Sequence, residues 1–295
     1  MKKIKVILTG SRGFIGRNTL TFFKTKKKYE LCPISCRSGK EIKLPKAEAV
    51  IHLGGRVHEH NAEEKEYFRD NVDTSINLAK KAIQAGIQTF IFISTIKVYG
   101  EAEGHYSEKS ACHPIGAYAK SKYQAEQALT RLFQKEKDKT LVILRLPLVY
   151  GMGQKGNMRR LDHYAKKGWP LPLKAATQKR SFLYVKNFCA AVEIILGQKH
   201  LKEGIYNISD PTTLSSKELY QACVKIYGKK EAIVFPFPKI VRKLLARYSK
   251  RAGYLVQRLF QTYTLNNQKF ENEFNTVLPY TTHKGLKETL INKTD

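Results

Sequence analysis

The stretch Ile4-Lys5-Val6-Ile7-Leu8-Thr9-Gly10-Ser11-Arg12-Gly13-Phe14-Ile15-Gly16 decides the fold. A short β-branched run passes into a loop with a glycine at every third position, and a segment of helical period follows from Phe14 to Lys24. A strand that enters a helix this way gathers the unpaired N–H groups of the first helical turn at one spot. Glycine lets an anion approach that backbone closely. Strand, glycine loop and helix in this order form the setting in which a dinucleotide pyrophosphate is held, although the spacing G-x-x-G-x-x-G departs from the commoner G-x-G-x-x-G.

Outward from this loop, the first half alternates apolar strands with helical segments. Strands are expected at Ile4 to Leu8, Tyr29 to Ile34, Ala49 to Leu53, Thr89 to Ser94 and Leu141 to Leu146. Helices are expected at Phe14 to Lys24, Tyr67 to Gln84 and Tyr118 to Lys135, the second closing at Ala85-Gly86. This is the α/β pattern of a Rossmann-type doubly wound parallel sheet. After Tyr150-Gly151 the glycines and prolines become denser, so residues 1–150 read as a dinucleotide-binding domain and 151–295 as a smaller α/β substrate domain. Ser181 to Gly197 has the form of a short strand and an apolar helix, and 181–210 returning to the first domain is an alternative boundary.

With 295 residues, 42% of them hydrophobic and 26% charged, the chain can build a sizeable core, which excludes disordered and collagen-like classes. No apolar run reaches the roughly 18 to 20 residues that a membrane span requires. The five cysteines (Cys32, Cys36, Cys112, Cys189 and Cys223) lack zinc spacing, which points to a reduced cytoplasm. The net charge of +28 attracts polyanions. Its cations are spread along the chain and no nucleic-acid module is visible, so no nucleic-acid partner is expected. A dinucleotide-sensing or polyanion-binding protein on the same fold is the non-enzymatic alternative.

Further motifs follow in order: Val50-Ile51-His52-Leu53-Gly54-Gly55, Asn71-Val72-Asp73-Thr74, Phe92-Ile93-Ser94-Thr95-Ile96-Lys97-Val98-Tyr99-Gly100, Arg145-Leu146-Pro147-Leu148-Val149-Tyr150-Gly151 and Arg180-Ser181-Phe182-Leu183-Tyr184-Val185. With the glycine loop, they make the chain resemble the extended short-chain dehydrogenase/reductases, in their nucleotide-sugar epimerase, dehydratase and reductase branch. The resemblance places cofactor contacts at Gly10, Arg12, Gly13, Phe14, Ile15, Gly16, Leu53, Gly54, Asn71 and Lys122. After the second strand, where NAD-preferring members carry an acid for the ribose hydroxyls, stands Ser35-Cys36-Arg37-Ser38-Gly39-Lys40. Arg37 and Ser38 suit a 2′-phosphate, so NADP(H) is preferred over NAD(H); a solvated basic turn is the alternative. The short segment between Gly39 and Ala49 leaves little room for the family's usual helix and third strand.

Tyr118-Ala119-Lys120-Ser121-Lys122 matches the family's Y-x-x-x-K, with Thr95 at the serine-or-threonine position. The i,i+4 interval puts Tyr118 and Lys122 on one helix face. A phenol with a pKa near 10 needs nearby positive charge to exchange protons at neutral pH. Tyr118 is therefore assigned the proton transfer at a substrate oxygen, Lys122 its tuning and a nicotinamide-ribose contact, and Thr95 the orientation of that oxygen. Ser94 takes the place of Thr95 if the register shifts by one. Asn71 supports the lysine or the backbone, or is a buried structural amide. His52 reads as a packed, hydrogen-bonded strand-end residue. His58, His60 and His113 lack metal spacing, and Cys112 reads as a small thiol.

By the same resemblance, Lys97, Asn157, Arg180 and Arg258, with Thr95 and Tyr118, meet a UDP-sugar substrate. Ile96-Lys97 replaces the acids that follow the catalytic threonine in dehydratases. The expected reaction is NADPH-dependent reduction of a UDP-4-keto-6-deoxy-N-acetylhexosamine for surface polysaccharide, with 4-epimerisation of a UDP-hexose or UDP-N-acetylhexosamine as the alternative. A homodimer is left open. From Pro238 to Arg251, Ile240, Val241, Leu244, Leu245 and Tyr248 share one helical face among Lys239, Arg242, Lys243, Arg247, Lys250 and Arg251. That face is expected to pack in the core of the substrate domain, with weak peripheral contact to an anionic membrane as the second reading.

Overall fold

The structure is a computed structural model that describes residues 3–36, 42–57, 62–154, 156–249, 253, 256 and 258–291. Arg37, Ser38, Lys40, His58 and His60 lie outside the described residues. Six parallel strands form the central sheet: β1 (Ile4–Thr9), β2 (Tyr29–Ile34), β3 (Ala49–His52), β4 (Thr89–Thr95), β6 (Thr140–Leu146) and β10 (Gly204–Asn207), in the order β10-β6-β4-β3-β1-β2. The intervening β5 (Gly104–Tyr106) and β7 (Leu148–Tyr150), with β8 (Lys179–Arg180) and β9 (Phe182–Tyr184), lie outside this sheet. Among the described residues no strand lies beyond β2, as the short link before Ala49 leads one to expect.

Alternation along each strand feeds two cores. Val6, Leu8, Ile51, Ile91, Ile93 and Val142 face one side of the sheet, where Phe23 of α1 (Phe14–Lys24) and Phe188 of α6 (Val185–Leu196) pack. Ile7, Val50, Phe90, Phe92 and Ile143 face the other, against Leu78 of α3 (Thr74–Gln84) and Ala125 and Leu129 of α4 (Gly116–Phe133). Each large side chain so buried contributes about 1.5–3 kcal/mol. A sheet covered on both faces has strands that read as nearly continuous apolar runs, and its right-handed crossovers bring the loops after β1, β3 and β4 to one edge.

The expected helix from Tyr67 to Gln84 is divided. A short α2 (Glu64–Phe68) passes through a π-helical turn at Arg69–Asp73 before α3, which ends at Gly86 with φ +72°. Beyond the sheet, α5 (Asn157–Lys167), α7 (Ser216–Ile226) and, after α9 (Gln268–Phe274), the last described helix, α10 (Thr282–Ile291), enclose a third core around Tyr150, Tyr184, Tyr220 and Leu286. α7 starts with a reciprocal cap: Glu218 N donates to Ser215 Oγ at 3.1 Å and Ser215 N donates to Glu218 Oε2 at 2.7 Å. Short strands β5, β8, β11 (Leu214–Ser215) and β12 (Tyr263–Leu265) pair in the order β11-β8-β12-β5.

α8 (Lys239–Tyr248) corrects one expectation. Ile240, Val241, Leu244 and Tyr248 are exposed rather than packed in the core. Pro236 and Pro238 break the chain before this helix, and α5, α7 and α10 already fill the core it was expected to join. The side chain of Leu245 lies outside the described residues.

Candidate active site

The glycine loop lies against the end of β3. Gly10 holds φ +66°, and a Cβ there would stand 2.8 Å from the backbone of Leu53 and Gly54. At Gly16 a Cβ would collide with the Gly10 carbonyl, so that glycine sets how closely α1 approaches the loop. Gly13 N donates to Gly10 O at 2.9 Å, closing the turn. No side chain caps α1 and its first turn carries no acid, so the amides around Phe14 and Ile15 retain the anion preference of a helix N-terminus. Arg12 is exposed beside them. This cradle fits a dinucleotide pyrophosphate.

A buried hydrogen-bond chain ties the loop to α4. Thr9 Oγ1 meets His52 Nδ1 at 2.6 Å, His52 Nε2 meets Ser75 Oγ at 2.8 Å, and Ser75 Oγ donates to Asn71 O at 2.7 Å. Ser75 spends its one O–H on Asn71, so His52 donates from Nε2 and accepts from Thr9 at Nδ1. Thr9 Oγ1 in turn accepts from Gly54 N at 2.9 Å. Burial, and then the positive Lys122, hold the His52 pKa down to about 3, so the ring stays neutral. Asn71, in the π-helical turn, accepts from Arg56 N (2.6 Å) and donates to Arg56 O (3.0 Å) and Ser121 Oγ (2.9 Å). Both of its amide donors thus brace backbone and helix, and π turns often mark such positions.

Thr95 ends β4 and Tyr118 opens α4, and their hydroxyls are hydrogen-bonded. Thr95 Oγ1 accepts from Lys97 N at 3.3 Å, which leaves its O–H for the phenol. Burial pushes the Tyr118 pKa up to about 12, and the Thr95 bond pulls the other way. Lys122, one turn along, is buried with Nζ 3.9 Å from the Phe92 ring centroid. Burial holds its pKa down to about 7, opposed by Glu126. Tyr118, Lys122 and Glu126 therefore form an i, i+4, i+8 row on α4. At its end Glu126 accepts Arg145 Nη2 at 2.6 Å with both groups buried. Burial disfavours the Arg145 charge, but the bidentate carboxylate more than reverses this and keeps it ionised. Ser94 Oγ is buried without a hydrogen-bond partner, so Thr95, not Ser94, is joined to Tyr118.

The short 3₁₀ turn Ile96–Tyr99 carries the chain from Thr95 to a cationic pocket lined by Lys97, Glu101, Arg180, Arg258, Gln261 and Tyr263. Arg180 Nη1 donates to Arg258 O at 2.6 Å and its guanidinium lies 5.6 Å from the Tyr263 ring centroid. Tyr263 donates to Ile96 O at 3.1 Å, fixing the turn. Burial lowers the Lys97 pKa; Glu101, 3.7 Å away, opposes this, and Arg258 adds to it. Three cations against one carboxylate suit a diphosphate. Asn157 is not among these residues: it is exposed at the start of α5.

Of the residues expected from sequence, the structure brings Thr95, Tyr118 and Lys122 into one group and Lys97, Arg180 and Arg258 into one pocket, whereas the Glu126–Arg145 pair, Tyr263 and the Thr9–Ser75–Ser121 bracing were not expected. A carboxylate four residues after Lys122, and a cation inside an otherwise apolar strand at Arg145, were the available clues.

A parallel sheet with a glycine-rich first turn, and a Thr, Tyr and Lys grouped at the ends of β4 and α4, define a dinucleotide-dependent enzyme of the extended short-chain dehydrogenase/reductase type. The chain belongs to the NAD dependent epimerase/dehydratase family, which it matches over residues 6–209. It is 28% identical to a UDP-glucose 4-epimerase of Vibrio cholerae over 96% of this chain and 94% of that protein. It is 25% identical to an N-acetyl-alpha-D-glucosaminyl-diphospho-ditrans,octacis-undecaprenol 4-epimerase of Escherichia coli O157:H7, over 76% of this chain and 71% of that one. Its fold matches that of a UDP-N-acetylglucosamine 4-epimerase from Bacillus cereus with a TM-score of 0.78, 21% identity and coverage of 98% and 99% of the two chains. Among the described residues no helix is long and apolar enough to cross a membrane.

Proposed function

We infer that the protein is a 4-epimerase of a UDP-hexose or UDP-N-acetylhexosamine. The observation that carries this reading is the adjacency of the Thr95–Tyr118–Lys122 group to the Lys97–Arg180–Arg258 pocket, in a chain that follows a UDP-glucose 4-epimerase over 96% of its length. Bound nicotinamide dinucleotide supplies reversible hydride acceptance at the sugar C4. Tyr118 takes the proton from the C4 hydroxyl and later returns it. Lys122 supplies the positive charge that lowers the phenol towards working pH, and Thr95 holds the reacting oxygen. Arg180, Arg258 and Lys97 grip the diphosphate, which anchors the nucleotide while the sugar is presented on either face. In this division of labour residues 1–150 with 181–210 hold the dinucleotide, and the remainder holds the sugar nucleotide.

The 4-keto reduction expected from sequence uses the same residues, but the activities of the relatives favour epimerisation. Arg37 and Ser38 keep NADP(H) the preferred dinucleotide of this proposal, with NAD(H) the alternative carried by the family description. The test is incubation with UDP-glucose and UDP-N-acetylglucosamine, with identification of the product sugars. Interconversion of the C4 epimers without net change in nicotinamide absorbance is expected. Absence of interconversion, with stoichiometric NADPH consumption on a UDP-4-keto-6-deoxy-N-acetylhexosamine, would overturn the reading in favour of the reductase.

A further inference from the structure

Segment 232–235 runs beside 169–174, joined by hydrogen bonds from Leu171 N to Ile233 O (3.1 Å), Phe235 N to Leu171 O (3.1 Å) and Lys174 N to Phe235 O (3.2 Å). Successive side chains of an extended segment alternate between faces. Ala232 and Val234 pack on the core around Tyr150 and Tyr220, whereas Ile233 and Phe235 face outward, 63% and 45% exposed. A half-buried strand ordinarily places polar residues on its outer face. Here both faces are apolar. On the paired segment Trp169 is 49% exposed. α8 then follows, with Ile240, Leu244 and Tyr248 exposed at 69%, 48% and 84%. Their i, i+4, i+8 spacing sets them along one helix face.

The charges around these groups are almost all positive. From 225 to 251 the chain has nine Lys or Arg residues against Glu231 alone, and no Asp or Glu occurs from 232 to 270. Lys166, Lys167, Lys174, Lys229, Lys230 and Arg247 are exposed. The Lys229 side chain passes Gly168, next to Trp169. A second copy of this face would meet it with like charge, and a nucleic-acid backbone has no use for exposed Ile233, Ile240 and Leu244. An anionic phospholipid surface satisfies both features, because apolar side chains enter the acyl boundary while lysines and arginines meet the phosphates.

We propose that the face formed by Trp169, Ile233, Phe235 and α8 docks the protein on anionic lipid bilayers. Phe237 lies with its ring centroid 6.2 Å from that of Phe260, next to the segment that supplies Arg258 and Gln261 to the cationic pocket, so docking sets the pocket's rim close to the membrane surface. The proposal stands independently of the sugar the enzyme converts.

Trp169 is the single tryptophan of the chain and therefore a built-in reporter. The purified protein is expected to co-sediment with mixed phosphatidylglycerol and phosphatidylcholine vesicles, with a blue shift of tryptophan emission, and to leave phosphatidylcholine vesicles in solution. Raising salt from about 0.1 M to about 1 M, which shortens the Debye length from about 10 Å to about 3 Å, releases it. Neutralising Lys229, Lys230 and Arg247 together lowers the partition coefficient about 100-fold, about fivefold for each cation. The pair Ile240→Ser and Leu244→Ser lowers it at least about tenfold, the minimum for losing one buried leucine-sized side chain, with thermal unfolding and turnover unchanged. Equal binding to neutral vesicles, an unmoved tryptophan emission, or full binding by the Ile240→Ser/Leu244→Ser protein would overturn the proposal. A dimer that these two substitutions dissociate, in a protein that ignores vesicles, would assign the face to a second copy instead.

Discussion

Replacing Lys122 by methionine is expected to stabilise the nucleotide-free protein while removing its turnover. The ammonium is buried over Phe92, and its pKa falls from 10.5 to about 7. Each tenfold in that protonation equilibrium is worth about 1.4 kcal/mol. Holding the amine in this site therefore costs up to about 4 kcal/mol at pH 7. The sign follows from proton counting: between pH 7 and 10.5 the unfolded chain binds more protons than the folded one, so the wild-type protein gains stability as pH rises. The cost declines to about 3 kcal/mol at pH 8.5 and below about 1 kcal/mol at pH 10. Methionine fills similar volume, and its thioether is compatible with the Phe92 face. The Glu126 carboxylate keeps Arg145 as partner. Urea unfolding of both proteins at pH 7, 8.5 and 10 measures the difference. The reasoning fails if the variant is the less stable protein at pH 7, or if its advantage stays constant across the range.

Tyr118→Phe removes the group assigned to proton transfer and little volume, so kcat is expected to fall about 10²- to 10⁴-fold with KM for the sugar nucleotide nearly unchanged. Steady-state kinetics with near-normal kcat would reject the assignment. Arg37→Asp is expected to move cofactor preference from NADP(H) towards NAD(H), because it removes a phosphate partner and supplies an acceptor for ribose hydroxyls. Equilibrium binding of both dinucleotides checks this, and an unchanged ratio places 2′-phosphate recognition elsewhere.

The sheet was legible because a strand covered on both faces must be apolar at nearly every position, which is how Val6-Ile7-Leu8 and Phe90-Ile91-Phe92-Ile93 are written. Gly86 ended α3 where expected for a similarly local reason: a positive φ favours glycine. Tyr118 and Lys122 were legible as a pair on one helix face because their interval of four follows, in the family's order, the glycine loop and the strand ending at Thr95. The π-helical turn at Arg69–Asp73 was not, since it changes helical period by one residue without a composition cue. Nor was the pairing of Glu126 with Arg145, which depends on α4 crossing β6 at one register. The apolar face of α8 could be read from sequence, but its direction could not. Periodicity reveals that a helix has two unlike faces and says nothing of what lies against them.

The hydrogen bonds from Thr9 through His52, Ser75 and Asn71 to Ser121 have a single polarity, since each donor and acceptor is already committed. They behave as a keyed joint between two halves of the machine. Anyone transplanting a glycine loop from a relative to change dinucleotide choice would be moving one half of that joint. A graft that brings a residue without a hydroxyl to position 9 strands the imidazole of His52, and the fault is felt 50 residues past Asn71, at Ser121 on the helix that carries Tyr118. The natural unit of exchange in this scaffold is therefore the five-residue set rather than the loop, and chimaeras cut between its members should lose activity before they lose nucleotide.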